Sequence, residues 1–457
     1  MVKEFFRRQI RQSKPGQVIV LSFLALILVG TILLSLPFVT TSGRSIGLLN
    51  AWFTATSAVC VTGLVVVDTG TTFNFIGTAI VLCLIQAGGL GLMTLASLLF
   101  MIVRRRISLR ERLIIQETFN TDALHGAVRL VRTALIVTFT LEAAVAILLL
   151  FRLIPLLGLR NGLLHSVFLA ISSFCNAGFD SFGAYQSLTG FVTDPYINFV
   201  IMASIVLGGL GFAVVAEIAA KRRFMAFRVH TRVVLAMTAA LIVVGALFFA
   251  LVEWNNPATL AGGDLNAGQK LMASLFQSVT LRTAGFNTID QNGLSPASKL
   301  MSMILMFIGG SPASTAGGIK TTTFAVVILA AWSVIRGRRD INLFERRVSI
   351  SAIRRAAAIT VLGLALVLAV TMGLCLLEQT RHPGITFEQL MFEVFSAFGT
   401  VGVSCGITPE LHPLSKALLS LTMFCGRVGP LTLSIALASR GRTDKGIRLP
   451  EGRLMVG

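Results

Sequence analysis

The sequence predicts an all-α polytopic membrane protein with four M1-P-M2 repeats, each made of a span, a pore helix, a filter loop and a second span. The repeats are expected to surround a central pore with pseudo-four-fold symmetry. Of the 457 residues, 54% are hydrophobic and only 13% are charged, whereas soluble domains carry roughly 25% charged residues. Four evenly spaced glycine segments and four half-length apolar helices also predict this fold.

The glycine segments recur about every 115 residues. They are Val61-Thr62-Gly63, Asn176-Ala177-Gly178, Thr283-Ala284-Gly285 and Thr400-Val401-Gly402. Glycine reaches positive φ without a Cβ clash, and rings of backbone carbonyls replace the hydration shell of a potassium ion. One such segment alone favours a simple turn, but four in register favour an ion filter. Which side chains face the axis stays open.

Segment lengths predict eight spans and four re-entrant hairpins. Each segment of about 13 apolar residues makes roughly 20 Å of helix, too short for a membrane core of about 30 Å. Non-helical backbone at membrane depth must be buried in protein or line water. The short segments are 48–60, 162–175, 269–282 and 386–399; the first spans are 18–38, 133–156, 233–253 and 356–377; the second spans are 75–103, 196–220, 299–335 and 416–439.

The distribution of Lys and Arg predicts the orientation of the chain in the membrane. Most of the 39 Lys and Arg residues lie in segments 1–16, 104–132, 221–232, 336–355 and 440–457. Basic loops stay on the cytoplasmic side, so we expect both termini there. A net charge of +19 could suggest a nucleic-acid partner, but its distribution over these loops indicates a membrane protein and no nucleic-acid partner.

These patterns predict six segments. They are a cytoplasmic N-terminal segment 1–16, repeat 1 at 17–103, repeat 2 at 104–220 with a leading cytoplasmic loop, repeat 3 at 221–335, repeat 4 at 336–439 and a cytoplasmic tail 440–457.

The second span of repeat 3 is expected to be broken. Its 299–335 segment would make about 55 Å of straight helix, and Pro and Gly in its middle weaken helical structure. We interpret the middle as a movable gate beside the pore; a kinked, tilted helix is the alternative. The gate residues are Gly309, Gly310, Ser311, Pro312, Ser314, Thr315, Gly317, Gly318 and Lys320.

Arg427 is expected to complete this gate from the last span. An arginine inside the membrane is costly and is usually functional. Its five donors can hold the carbonyl groups of the 309–318 loop, while its charge would oppose a passing cation. A brace between helices is the alternative. Glycines Gly88, Gly208 and Gly426 indicate close helix packing.

Charged residues near the filters have two interpretations. Asp68, Asp180 and Asp290 follow filter segments and would concentrate cations in an outer vestibule; ordinary solvated loop carboxylates are the alternative. Arg282 precedes a filter, and we expect its head to point away from the pore.

Four strings resemble the Ktr/Trk/HKT superfamily of potassium transporters and, within it, the KtrB family. They are NAGFD at 176–180, RTAGFN at 282–287, GGSPASTAGGIKTTT at 309–323 and GRVGPLTL at 426–433. The resemblance implies potassium uptake, with K⁺ bound only at the filter, in the plasma (inner) membrane of a bacterium. It leaves open sodium as an activator, and a sodium-permeable or Na/K-coupled transporter of the same fold.

The resemblance also implies partners. It indicates a homodimer, with Leu454–Gly457 as a candidate contact, and a cytosolic KtrA-type regulatory ring that binds ATP, ADP or cyclic di-AMP. No cofactor is expected in this chain. An enzyme is not expected, because the sequence contains neither HExxH nor GxSxG, and only Glu142 and Glu217 are carboxylates deep in predicted spans.

Overall fold

The computed structural model describes residues 15–91 and 127–437, except 222, 263–264, 339, 345, 380 and 383. Nearly all of the predicted segment 1–16, the end of the second span in repeat 1, the 440–457 tail and the Leu454–Gly457 contact lie outside the described residues. The repeat boundaries given above stay predictions.

The described chain is helical and repeats one pattern four times. The long first helices are Pro15–Leu34, Ala127–Cys175, Val229–Val252 and Ile350–Glu378. Separate pore helices are Leu48–Cys60, Ala267–Thr280 and Phe387–Gly399. The second spans contain Phe75–Leu90, Pro195–Leu210, Phe212–Lys221, Pro296–Phe307, Thr321–Ile335, Pro413–Val428 and Pro430–Leu437.

Short elements connect these helices. They are the helical turns Pro37–Val39, Thr69–Thr72, Thr189–Phe191, Phe224–Ala226 and Thr408–Glu410, and an antiparallel hairpin of Asn342–Leu343 with Arg346–Arg347. In the hairpin, Asn342 pairs with Arg347 and Leu343 with Arg346.

Repeat 2 joins its first span to its pore helix without a loop. Helix Ala127–Cys175 contains Pro155 and breaks at Gly158, whose φ is 80°. The pore helix therefore begins just after Gly158, slightly before the predicted 162. The other repeats have a loop at this place.

Among the described residues, four helices are long and apolar enough to cross a membrane alone: Gly16–Leu34, Val131–Cys175, Val229–Val252 and Ile350–Glu378. They overlap the four predicted first spans, and Val131–Cys175 also includes the pore helix of repeat 2. Large apolar side chains on them, such as Leu28, Phe151 and Leu368, are exposed, as expected where the bilayer is the solvent.

The second spans are interrupted, and in more repeats than predicted. Segment 308–320 separates the two helices of repeat 3 as expected. In repeat 2 the two helices meet at Gly211 with a bend of 102°, and in repeat 4 they meet at Gly429 with φ 92°. Both glycines have positive φ, which glycine adopts without a Cβ clash. The sequence analysis predicted only the break in repeat 3.

The glycine runs in the second spans of repeats 1, 2 and 4 also allow close packing. A Cβ on Gly88, Gly208 or Gly426 would collide with the carbonyl oxygen of Val59, Phe174 or Phe398 respectively. All three carbonyls lie at the end of a pore helix, so the second span touches the pore helix at one shared point.

Neighbouring repeats close into a ring. The second helix of each repeat contacts the pore helix of the next, and Pro413–Val428 of repeat 4 contacts Leu48–Cys60 of repeat 1. A fully buried phenylalanine lies about two turns before each filter: Phe53, Phe168, Phe276 and Phe392. The structure confirms the predicted fold class, with four repeats around a central axis.

Candidate functional site

The four glycine segments share one unusual backbone conformation. Each begins with a left-handed residue that is not glycine, and each glycine also has positive φ. The φ values are 57° for Val61, 59° for Asn176, 69° for Thr283 and 49° for Thr400, and 93°, 69°, 90° and 91° for Gly63, Gly178, Gly285 and Gly402. A left-handed conformation costs an ordinary residue roughly 1–2 kcal/mol. Four copies of it indicate a constraint imposed by the surrounding structure.

The same segments face one another in a closed ring. A Cβ on Gly63 would come within 3.0 Å of the Ala177 carbonyl oxygen, and one on Gly178 within 3.0 Å of that of Ala284. A Cβ on Gly285 would collide with the Val401 carbonyl, and one on Gly402 with the Thr62 carbonyl. A side chain at any of these four positions would therefore be strained by the positive φ and would also collide with the neighbouring segment. Each segment presents a carbonyl to its neighbour.

Hydroxyl groups at the pore-helix ends hold the filter backbone. The Gly63 and Gly402 amides donate to the hydroxyls of Ser57 and Ser396, each at 3.0 Å. In repeat 2, the Ser172 hydroxyl donates to the Phe179 carbonyl at 2.6 Å. The corresponding contact in repeat 3 joins Thr280 and Phe286.

Filter side chains fall into two groups. The hydroxyls of Thr62, Thr283 and Thr400 are buried without a hydrogen-bond partner among the described residues, so each keeps a free donor and acceptor for water or an ion. The Asn176 amide, oriented to satisfy its hydrogen bonds, donates to the carbonyls of Ser173 and Ile205 at 3.0 and 3.2 Å and braces its own segment.

The 308–320 segment lies directly against the filter. A Cβ on Gly317 would collide with the Thr400 hydroxyl, and one on Gly318 would lie 3.4 Å from the Cα of Gly399. The ends of the segment are joined, since the Gly309 amide donates to the Ile319 carbonyl at 2.9 Å.

The segment is also fastened to repeat 2. The Ser311 amide donates to the Gly209 carbonyl at 3.0 Å, and the Phe212 amide donates to the Ala313 carbonyl at 3.0 Å. The Thr315 hydroxyl donates to the Gly208 carbonyl at 3.2 Å. The break at Gly211 thus supplies backbone groups that pair with the break in repeat 3.

Polar side chains of the segment mostly bond within it. Ser314 donates to the Ser311 carbonyl at 2.6 Å, and the Lys320 ammonium donates to the Ala316 carbonyl at 2.6 Å. The hydroxyls of Ser311 and Thr321 lie 3.1 Å apart. These bonds give the segment a defined conformation.

Arg427 joins the segment to repeat 1. Its guanidinium donates to the Thr315 carbonyl and, at 2.5 and 3.1 Å, to the carbonyls of Gly88 and Gly89. Across the described ranges, no ion pair involves Arg427. Carbonyl oxygens rather than carboxylates therefore bind the Arg427 guanidinium. Through these bonds Arg427, in repeat 4, is connected to repeats 1 and 3.

The three outer aspartates differ in their surroundings. Asp68 is buried and accepts from the Gly70 amide at 3.1 Å, the Thr71 hydroxyl at 2.9 Å and the Ala184 amide of repeat 2. Asp290 is exposed and accepts from two amides of its own loop. Burial, together with the nearby charge of Asp68, raises the pKa of Asp180, in the loop outside the filter, to about 6.

Glu393, in the pore helix of repeat 4, was missed by the sequence analysis. It is fully buried and accepts from the Ser404 hydroxyl at 2.6 Å, the Cys405 amide at 2.9 Å and the Thr408 hydroxyl at 2.7 Å. These donors follow the filter glycine of the same repeat. In repeat 3, Gln277 and Gln291 bond reciprocally at a similar place. The available signal was a polar residue inside an apolar pore helix.

Arg282 contacts the first span of repeat 3. Its guanidinium donates to the Thr238 carbonyl at 3.2 Å. This geometry agrees with the expectation that its charge points away from the filter.

Comparisons with known proteins place this chain in a family. A family model described as TrkH, cation transport protein, matches residues 3–445. The chain is 40% identical over 443 residues to the "Ktr system potassium uptake protein B" of Bacillus subtilis, covering 97% of each chain. It is 37% identical over 453 residues to the "Potassium/sodium uptake protein NtpJ" of Enterococcus hirae, covering 99% of each.

A solved structure matches the same fold. The crystal structure of the potassium transporter TrkH from Vibrio parahaemolyticus aligns with a TM-score of 0.73 over 93% of this chain and 86% of that chain. Their sequence identity is 16%, so this likeness bears on the fold alone.

We predict that Glu393→Ala destabilises the protein, because three buried or half-buried donors lose their acceptor. The expected loss in free energy of unfolding is on the order of 3 kcal/mol, measured by thermal unfolding in detergent. Glu410→Ala, at an exposed position in the same outer loop, is the control. Equal stability of the two variants would contradict the role of Glu393 as a brace.

Proposed function

Because the chain belongs to the TrkH family of cation transport proteins, we propose that it takes up potassium across the plasma membrane through the four glycine segments. The family consists of ion transporters, so the chain is a transporter and not an enzyme. The observation that carries the proposal is the closed ring in which each filter glycine approaches a carbonyl of the next repeat.

Potassium fits this ring for a chemical reason. Backbone carbonyls aimed at one axis replace the water that a potassium ion sheds, provided that no side chain fills the gap. All four repeats have glycine at the critical position. The carbonyls of Thr62, Ala177, Ala284 and Val401 are the ligands we propose first, with the free threonine hydroxyls as further oxygens.

A second candidate is a transporter that also carries sodium or couples it to potassium. One observation favours it, since a relative 37% identical over nearly its whole length is named a potassium/sodium uptake protein. Sodium could also act only as an activator of potassium uptake. Measurements of potassium uptake and sodium uptake separately distinguish a potassium transporter from one that also carries or couples sodium.

The 308–320 segment and Arg427 are proposed as the gate. The segment lies against Thr400 and Gly399 at the filter, and Arg427 holds it through the Thr315 carbonyl. An arginine charge in a low-dielectric path repels a cation strongly. Movement of the segment would carry away both the obstruction and the charge.

Partners and orientation are proposed from the relatives and the charge pattern. A relative named as part of a "Ktr system" suggests a further subunit, which we propose to be a cytosolic ring of KtrA type that binds ATP, ADP or cyclic di-AMP. We also propose a homodimer in a bacterial inner membrane with both termini in the cytoplasm, and an outer vestibule in which Asp68, Asp180 and Asp290 attract cations.

We predict that Gly285→Ser lowers the preference for potassium over sodium by about tenfold, equivalent to about 1.4 kcal/mol. The serine would be strained at a φ of 90° and would collide with the Val401 carbonyl. Uptake of each ion by reconstituted vesicles measures the change.

Gly406→Ser is the matched control, because Gly406 has a φ of 87° but open space around its Cβ position. Equal uptake of both ions by the unaltered protein would contradict potassium selectivity. An unchanged preference in Gly285→Ser would contradict the role of the ring.

We predict that Arg427→Ala increases potassium flux through unstimulated protein by about tenfold or more, because the barrier and the Thr315 contact are both lost. Arg427→Lys should give an intermediate flux, since lysine keeps the charge but not the planar array of donors. Arg152→Ala removes an exposed arginine paired with Asp194 and serves as control. Flux unchanged in Arg427→Ala would rule out the proposed gate.

A further inference from the structure

A buried carboxyl group lies between repeats 1 and 2 and has no part in the filter or the gate described above. Glu142, on the first span of repeat 2, is 6% exposed. It accepts from the Gln86 amide at 3.2 Å and from the Cys175 thiol at 3.6 Å. A carboxyl group at this depth is costly and requires a reason.

The described residues around Glu142 supply dipoles rather than an opposite charge. None of the ion pairs within the described ranges includes Glu142. The Cys175 thiol also lies 3.7 Å from the Gln86 side-chain oxygen, so Glu142, Gln86 and Cys175 form a closed triangle. A network of this kind fixes its members relative to one another when they are desolvated.

Gln86 and Cys175 each lie next to a part of the proposed mechanism. Gln86 precedes Gly88 and Gly89, whose carbonyls accept from Arg427. Cys175 is the last residue of the pore helix of repeat 2 and directly precedes Asn176 of the filter. A Cβ on Gly89 would lie 2.8 Å from the Cys175 sulfur, so the two elements are in contact.

We infer that Glu142 is a positioning residue for the gate. It holds the second helix of repeat 1 against the end of the repeat 2 pore helix and so fixes the Gly88 and Gly89 carbonyls where Arg427 binds them. This inference rests on the proposed role of Arg427. Glu142 acts through Gln86 and Cys175 and does not contact the transported ion.

Two substitutions distinguish the hydrogen bonds of the Glu142 side chain from its charge. Glutamine at this position retains an oxygen for the Gln86 amide and places its own amide nitrogen against the Cys175 sulfur, a weak acceptor, whereas alanine removes both contacts. We therefore expect Glu142→Ala to raise the resting potassium flux about tenfold and Glu142→Gln to keep it within about twofold of the unaltered protein.

The test is a double-mutant cycle in reconstituted vesicles, with resting potassium efflux as the readout. Glu142→Ala and Gln86→Ala, which breaks the same contact from a half-buried position, are measured alone and combined with Arg427→Ala. If Glu142 acts through Arg427, its effect disappears in the Arg427→Ala background. Thr138→Val is the matched control, because Thr138 is fully buried on the same helix and its hydroxyl has no described partner.

The outcomes separate the inference from the proposed function. If Arg427→Ala raises efflux but Glu142→Ala and Gln86→Ala do not, or if their effects simply add, the inference is overturned and the gate stands. If Arg427→Ala leaves efflux unchanged, both fall. If Glu142→Gln raises efflux as much as Glu142→Ala, the charge matters and a positioning role is wrong.

Discussion

Non-helical backbone at membrane depth needs hydrogen-bond partners inside the protein, because lipid offers none. The four filter segments and the 308–320 segment meet this need differently. The filter backbone is fastened outward to hydroxyls of the pore helices, such as Ser57 and Ser396. Its inward carbonyls face neighbouring repeats. We propose that this arrangement, with hydroxyls holding the filter backbone and its carbonyls facing the neighbouring repeats, suits the ring to an ion.

The same need explains why the second spans break together. A helix interrupted at Gly211 frees carbonyl and amide groups, and the 308–320 segment provides groups that pair with them, including Ala313 and Ser311. Arg427 completes the arrangement with three carbonyls from two other repeats. Because the breaks in repeats 2 and 3 supply partners for each other and Arg427 joins repeats 1 and 4 to them, the region beside the filter forms one connected unit whose movement would involve several repeats.

The sequence predicted those features of the structure that depend on residues close together in the chain. Glycine after a half-length helix predicted the four segments that face one another in the ring, and Pro312 among four glycines predicted the break in repeat 3. The breaks at Gly211 and Gly429 were not predicted, because a glycine run has the same sequence whether it only packs or also ends a helix. Glu393 and the Asp68–Ala184 contact join residues distant in sequence, which periodicity does not reveal.

We propose that the carbonyls of Thr62, Ala177, Ala284 and Val401 bind potassium together on one axis. Anomalous diffraction from crystals containing thallium, which replaces potassium, tests this arrangement. We expect a thallium peak on the axis, in contact with all four carbonyls, that weakens as potassium is added. Thallium absent from the ring, or bound instead beside the Glu142 carboxyl group, would contradict it.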